Sequence, residues 1–113
     1  DSLKMYFGGR CAVITITQDM FAKSGADDSE TDAIPGLSRQ IEGVEAGITL
    51  KEGKDGTFKI SVRTHAPIDA SAICKALGGG GHVRAAGCRI RGSRDEAERL
   101  VLEQVEKALS VNE

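Results

Sequence analysis

Side chains that bind metals or cross-link chains are scarce in this sequence. Its cysteines are Cys11, Cys74 and Cys88, and its histidines are His65 and His82. Three cysteines are odd in number and not closely spaced, which argues against a disulfide framework or a zinc site and favours a reducing compartment. The two histidines lack the spacing with carboxylates that a dimetal site needs. Positive charge is not in surplus either: 15 Lys and Arg against 17 Asp and Glu leave a formal net charge of −2 and a pI of about 5.7. A protein that coats nucleic acid through bulk charge needs a basic face summed over many phosphates, so any nucleic-acid contact here is expected to be local and short. No apolar stretch approaches the length of a membrane span and no signal-peptide pattern opens the chain, which points to a cytoplasmic protein without a membrane partner. Internal repeats are lacking. The chain opens on Asp1 rather than Met, and is expected to be a piece of something longer.

What is present suffices for one domain. With 113 residues, 40% of them hydrophobic, the chain can bury a modest core. Strand and helix signals alternate. Leu3 to Phe7, Gly8-Gly9 and Arg10 to Thr17 read as a hairpin leading into a buried strand, because Cys11 to Ile16 is rich in β-branched residues. A short helix is expected from Gln18 to Lys23, and a second over Ala33 to Glu42 with Pro35 in its first turn. Between them, Ser24 to Asp32 is a polar, acidic surface loop. It lacks the sixth-position glycine and terminal glutamate of a calcium-binding EF-hand. Val44 to Lys51 and Thr57 to Thr64 flank Asp55-Gly56, a strong hairpin signal. Asp69 caps a helix running to Leu77, with Ile68 and Ile73 as a hydrophobic staple and Gly78 at its left-handed end. Gly87 to Arg91 alternates as a strand. Ser93 and Glu96 form the capping box of a last helix to Leu109, with Ala97, Val101, Val105 and Ala108 as its apolar stripe and Asp95/Arg99 and Glu103/Lys107 as ion pairs. The fold class is therefore α/β: a mixed sheet of about five strands flanked by helices, in a single domain.

Two segments carry chemistry. The first is Gly78-Gly79-Gly80-Gly81-His82-Val83-Arg84-Ala85-Ala86-Gly87. Glycine lacks a Cβ, so such a run can bring the amides of Gly79, Gly80 and Gly81 against an oxyanion, with His82 and Arg84 as side-chain donors and Ala85 and Ala86 keeping the pocket open. A bare glycine run would read as a flexible loop. The helical pattern before it, the strand pattern after it and the pairing of His with Arg favour an anion cradle. The second segment is Lys59-Ile60-Ser61-Val62-Arg63-Thr64, where alternation puts Lys59, Ser61 and Arg63 on one cationic, hydroxylic face and turns Ile60 and Val62 to the core. Arg63 suits a phosphate or a base. The same alternation also describes the solvent face of an ordinary edge hairpin.

Together, Ser61-Val62-Arg63-Thr64, the Asp-led helix, Gly78-Gly79-Gly80-Gly81-His82 and Ala85-Ala86-Gly87 resemble the DHH-associated C-terminal domain of DHH-family phosphoesterases. The nearest group is that of the bacterial oligoribonuclease and phosphoadenosine phosphate phosphatases, often labelled exopolyphosphatase-related, which also includes cyclic-dinucleotide phosphodiesterases. The resemblance runs from about Arg10 through Leu109 and takes in Ile41-Glu42-Gly43-Val44-Glu45. It implies a division of labour: an N-terminal DHH domain, whose Asp-His-His triplet this chain lacks, holds two manganese or similar ions, while the present domain grips the substrate. By position, Arg63 would contact base or phosphate, Thr64 would assist, Gly80 and Gly81 would offer amides and His82 would contact a terminal phosphate. Arg84 transfers less directly, and Lys59 and Ser61 rest on strand geometry. The implied substrates are short single-stranded RNA, 3′-phosphoadenosine 5′-phosphate or a cyclic dinucleotide. A homodimer of the full-length protein stays open. The alternatives are an RNA-binding accessory domain like that of alanyl-tRNA synthetase and a RecJ-type exonuclease domain.

Overall fold

A computed structural model describes residues 3–19 and 41–111 of the chain. Strands β1 (Leu3–Tyr6) and β2 (Cys11–Ile16) form the expected hairpin about a turn of 3₁₀ helix at Phe7–Gly9. Strands β3 (Ala46–Glu52) and β4 (Thr57–Thr64) form the second hairpin. Its turn is held by Gly53 N–H donating to Thr57 O at 2.8 Å and by Asp55 Oδ1, which accepts from the Thr57 hydroxyl at 2.5 Å. Of the helix expected over Gln18 to Lys23 only Gln18 and Asp19 are described, and they are helical. The acidic loop lies outside the described residues, as does the helix expected over Ala33 to Glu42, apart from Ile41 and Glu42, which sit in a bend and a turn.

Helix α1 (Ala70–Lys75) begins where Asp69 Oδ1 accepts from the amides of Ser71 at 2.9 Å and Ala72 at 3.2 Å. Ile68 and Ile73 are buried around that cap as a staple. The helix stops short of Leu77: Ala76 to Gly78 make turns, and Gly78 takes the left-handed conformation at φ 90°. Strand β6 (Ala85–Arg91) leads to helix α2 (Arg94–Val111), where Glu96 N–H donates to Ser93 Oγ at 3.2 Å. Arg99 pairs forward with Glu103 at 2.9 Å rather than back with Asp95, which Arg94 holds at 3.3 Å.

Among the described residues a short strand β5 (Gly80–Gly81) completes a six-stranded sheet in the order β1-β2-β3-β4-β6-β5, with β2 and β3 parallel and every other neighbouring pair antiparallel. Strand β5 is the middle of the glycine run read from sequence as an anion cradle. Paired residues share a face, so register sorts the sheet into two sides. Val13, Ile48, Val62 and Ala86 stand in one row, and Leu50, Ile60 and Cys88 in the next. These pack with Ile73, Cys74, Val101 and Val105 of the two helices in one buried core. Full burial of each large aliphatic side chain contributes about 1.5–3 kcal/mol. The opposite face carries Lys59, Ser61 and Arg63 on β4 and Ala85, Gly87 and Arg89 on β6.

Candidate functional site

Most amides of the glycine run are spoken for. Gly78 N–H donates to Lys75 O at 3.1 Å, Gly79 N–H to Cys74 O at 2.8 Å and His82 N–H to Ala85 O at 2.8 Å. The last of these belongs to a reciprocal pair, since Ala85 N–H donates back to His82 O at 3.2 Å. Hydrogen-bonded and non-bonded pairs alternate along an antiparallel ladder. With His82 opposite Ala85 bonded, Gly80 opposite Gly87 is bonded too, and Gly81 opposite Ala86 is not. The Gly81 N–H therefore faces away from β6 at the sheet edge. A cradle of several converging amides reduces to this one outward donor.

The glycines themselves divide into two kinds. A Cβ at Gly79 would stand 2.2 Å from Gly87 O and 2.5 Å from Cys88 Cβ, and one at Gly81, where φ is 148°, would stand 2.6 Å from Ala86 Cα. Those two are glycine because β6 passes too close for anything larger. At Gly80 an added Cβ meets nothing within 4 Å and φ lies outside the left-handed range. Nothing in the fold requires glycine there, so its bare surface is free for a ligand.

His82 and Ala85 close a two-residue turn, Val83-Arg84, that is tied down on three sides. Val83 O accepts from Ala70 N–H at 2.8 Å and from the Thr64 hydroxyl at 3.1 Å, and Arg84 O accepts from Thr64 N–H at 3.0 Å. The Arg84 guanidinium reaches back to Ile68 O at 2.8 Å and to Thr64 Oγ1 at 3.3 Å. Thr64 is fully buried on the helix side of the sheet. Thr64 and Arg84 thus hold the turn from behind, and their donors are directed into the fold. Ala86 is also turned inward and buried; only Ala85 stands on the outer face.

Register brings the remaining candidates together. Arg63 lies opposite Ala85, which lies opposite His82, forming one row across β4, β6 and the end of β5. Strands are about 4.8 Å apart, so the Arg63 and His82 backbones are roughly 10 Å apart with a single methyl between them. The next row is Ser61, Gly87 and Gly80. This makes a smooth floor of Ala85, Gly87 and Gly80, bounded by half-buried Arg63 on one side and exposed His82 on the other, with the Gly81 amide at the rim. Lys59 is exposed one row further out, opposite Arg89. Gly87, which closes the glycine-histidine segment and opens strand β6's alternating run, had no binding part assigned to it from sequence, yet it lies at the centre of this floor.

Beneath the run, the free thiols of Cys74 and Cys88 are buried and hydrogen-bonded to each other, a contact their separation in sequence does not reveal. That hydrogen bond, together with burial, pushes the Cys74 thiol well above its ordinary value, so it stays neutral and is no nucleophile. Among the described residues no three His, Cys, Asp or Glu side chains gather as a metal site. No helix among them is long and apolar enough to cross a membrane.

The arrangement of glycine run, turn and sheet has counterparts. The DHHA1 domain matches residues 8–111. The chain belongs to that family. A curated relative, the bifunctional oligoribonuclease and PAP phosphatase NrnA of Thermus thermophilus, is 34% identical over 110 residues, which is 96% of this chain and 32% of the relative. The chain thus spans about a third of the length of that DHH-family protein. An exopolyphosphatase-related protein from Bacteroides fragilis superposes with a TM-score of 0.85 at 24% identity, covering 93% of this chain and 31% of its own. The C-Ala domain of Aquifex aeolicus alanyl-tRNA synthetase follows with a TM-score of 0.60 at 10% identity, covering 83% of this chain and 86% of its own. These two show a shared fold.

Proposed function

We propose that this DHHA1 domain is the substrate-gripping part of a metal-dependent phosphoesterase that acts on short single-stranded RNA or a related nucleotide. The carrying observation is the row in which Arg63 and His82 flank a floor of glycine and alanine, with Gly80 bare although nothing in the fold forbids a side chain there. Such a floor admits a planar base or a sugar-phosphate close to the backbone. Arg63 supplies a planar fork of donors, and His82 and the Gly81 amide supply donors at the rim. Ser61, in the second row, adds a hydroxyl.

An open sheet corner grips from one side only. In this reading the other wall is a DHH domain of a longer protein, which also holds the two manganese or similar ions. Among the described residues no three metal-ligating side chains gather, and no step of hydrolysis is assigned to them. The relative's name as an oligoribonuclease and PAP phosphatase supports the substrate class. A pGpG-specific phosphodiesterase from Vibrio cholerae shares the fold with a TM-score of 0.53 at 17% identity.

The reading is tested by calorimetric titration of wild type and His82→Ala with nucleotides carrying and lacking a terminal phosphate. His82→Ala is expected to weaken the phosphorylated ligand by about 1.5–3 kcal/mol, the range for a hydrogen bond to a charged group, and to leave the other ligand unchanged. Equal losses for both would mean that His82 does not read that phosphate.

A further inference from the structure

Cys74 in the last turn of α1 and Cys88 in the middle of β6 are free, buried thiols whose sulfurs are in hydrogen-bond contact. Neither takes part in the grip proposed above. Gly79 is wedged over the pair: its N–H donates to Cys74 O at 2.8 Å, and a Cβ added to it would stand 2.5 Å from Cys88 Cβ. The chain between the two cysteines contains β5, His82, the Val83-Arg84 turn, Ala85 and Gly87, which is every part of the floor and rim except what β4 supplies. Cys11 stands apart from them. It lies on β2, three strand spacings or about 14 Å across the sheet from β6, whereas a disulfide needs Cα atoms within about 7 Å.

We infer that Cys74 and Cys88 form a redox modification site, which hydrogen peroxide converts to an internal disulfide that displaces the glycine strand. The hydrogen bond from the Cys74 S–H holds the Cys88 thiol below its ordinary value, so Cys88 reacts first. Its sulfur attacks one peroxide oxygen and the O–O bond breaks, leaving Cys88 as a sulfenic acid while the released hydroxide leaves as water with the Cys88 proton. The hydrogen bond that chiefly kept Cys74 protonated is then gone. The Cys74 sulfur attacks that of Cys88, the S–O bond breaks, and the second hydroxide leaves as water with the Cys74 proton. Two thiols thus lose two electrons in all, and one peroxide is reduced to two waters. Closing the sulfurs to a bond of about 2.05 Å draws the end of α1 toward β6. Gly79 has no room to absorb this, because its Cβ position is 2.2 Å from Gly87 O and its amide is bonded to Cys74 O. The displacement passes to Gly80 and Gly81, which are joined to β6 by two residue pairs only. Such a bond is reversible, the kind of disulfide that a reducing compartment permits.

The test treats the labelled chain with hydrogen peroxide and follows intact mass, cross-linked peptides and backbone amide shifts before and after dithiothreitol, for wild type and for Cys11→Ala. Both chains are expected to lose two hydrogens in mass, to yield a peptide pair linking Cys74 to Cys88, and to return to the reduced mass with dithiothreitol. The amides of Gly79, Gly80, Gly81 and His82 should shift between the two forms while those of β1 stay in place. Added oxygen atoms without a link, a link through Cys11 or a link between chains would overturn the site, and the right link with unmoved glycine amides would overturn the displacement. The effect on nucleotide rests on the reading of the Arg63 and His82 row. Affinity for a 5′-phosphorylated dinucleotide should fall about tenfold in the disulfide form, within the ordinary range of coupling between two sites, and recover on reduction. Equal affinity of the two forms counts against the coupling. A dinucleotide that binds neither form counts against the nucleotide site instead, while the link and the amide shifts still decide the disulfide.

Discussion

At the scale of single residues, the glycines separate ligand approach from internal packing. Gly79→Ala drives a Cβ into Gly87 O and Cys88 Cβ, and we expect it to destabilise the fold by about 1–3 kcal/mol, as overpacking does. Gly80→Ala meets no neighbour and removes chain entropy from the unfolded state, so its stability should hold or rise by up to about 1 kcal/mol while nucleotide binding falls. Thermal denaturation together with titration of both variants checks the contrast; a Gly80→Ala chain that binds normally would show that nothing approaches that surface. Arg63→Lys keeps the charge and loses the planar fork, and should weaken binding while leaving the melting temperature unchanged. Thr64 was legible in principle: the alternation that turns Arg63 outward turns Thr64 inward with Ile60 and Val62. Arg84 was not, since its partners, Ile68 O and Thr64 Oγ1, come together only when the turn folds back on the start of α1.

Among elements, those with local signals were readable. Asp55-Gly56 made its hairpin, Asp69 its cap and Ser93 its capping bond, because each depends on atoms a few residues apart. Strand β5 was hidden because its pairing needs only backbone. Gly80 and Gly81 have no side chains to show a strand pattern, and their partners Gly87 and Ala86 are supplied by the hairpin through Val83-Arg84. The cap on α1 gives a prediction at this scale. The Ser71 hydroxyl and then the Ala72 amide hold the Asp69 carboxyl below the ordinary aspartate range. A carboxyl lowered in the folded state stabilises above its unfolded value, and that contribution is lost as pH falls through the lowered folded value. Asp69→Ala should cost about 0.5–2 kcal/mol at neutral pH. Asp69→Asn still caps but does not titrate, so its melting temperature should fall less steeply than wild type on acidification. Parallel melting curves for the two chains would contradict this.

Across the whole molecule, the edge strand β1 is tied to the C-terminal helix α2 by the hydrogen bond from the Tyr6 hydroxyl to Glu98. Burial and then that bond push the Tyr6 phenol up to about 12. A phenol raised in the folded state adds stability below its ordinary value, and this is lost as pH climbs through the folded value. Tyr6→Phe should therefore flatten the alkaline loss of stability between about pH 10 and 12. It should also cost about 1–3 kcal/mol at neutral pH by leaving buried Glu98 without its donor. An alkaline profile identical to wild type would count against the tie. The two-faced sheet was legible from alternation, as was the helical core side; what composition could not show is that register lines up Arg63, Ala85 and His82 across three strands. That alignment is most directly tested by following backbone amide chemical shifts of the labelled chain during titration with a 5′-phosphorylated dinucleotide. We expect the largest changes at Arg63, Gly80, Gly81, His82, Ala85 and Gly87, with α2 and β1 silent. Shifts concentrated around Tyr6 and Glu98, or none at the glycine strand, would contradict the assignment of this face as the nucleotide grip.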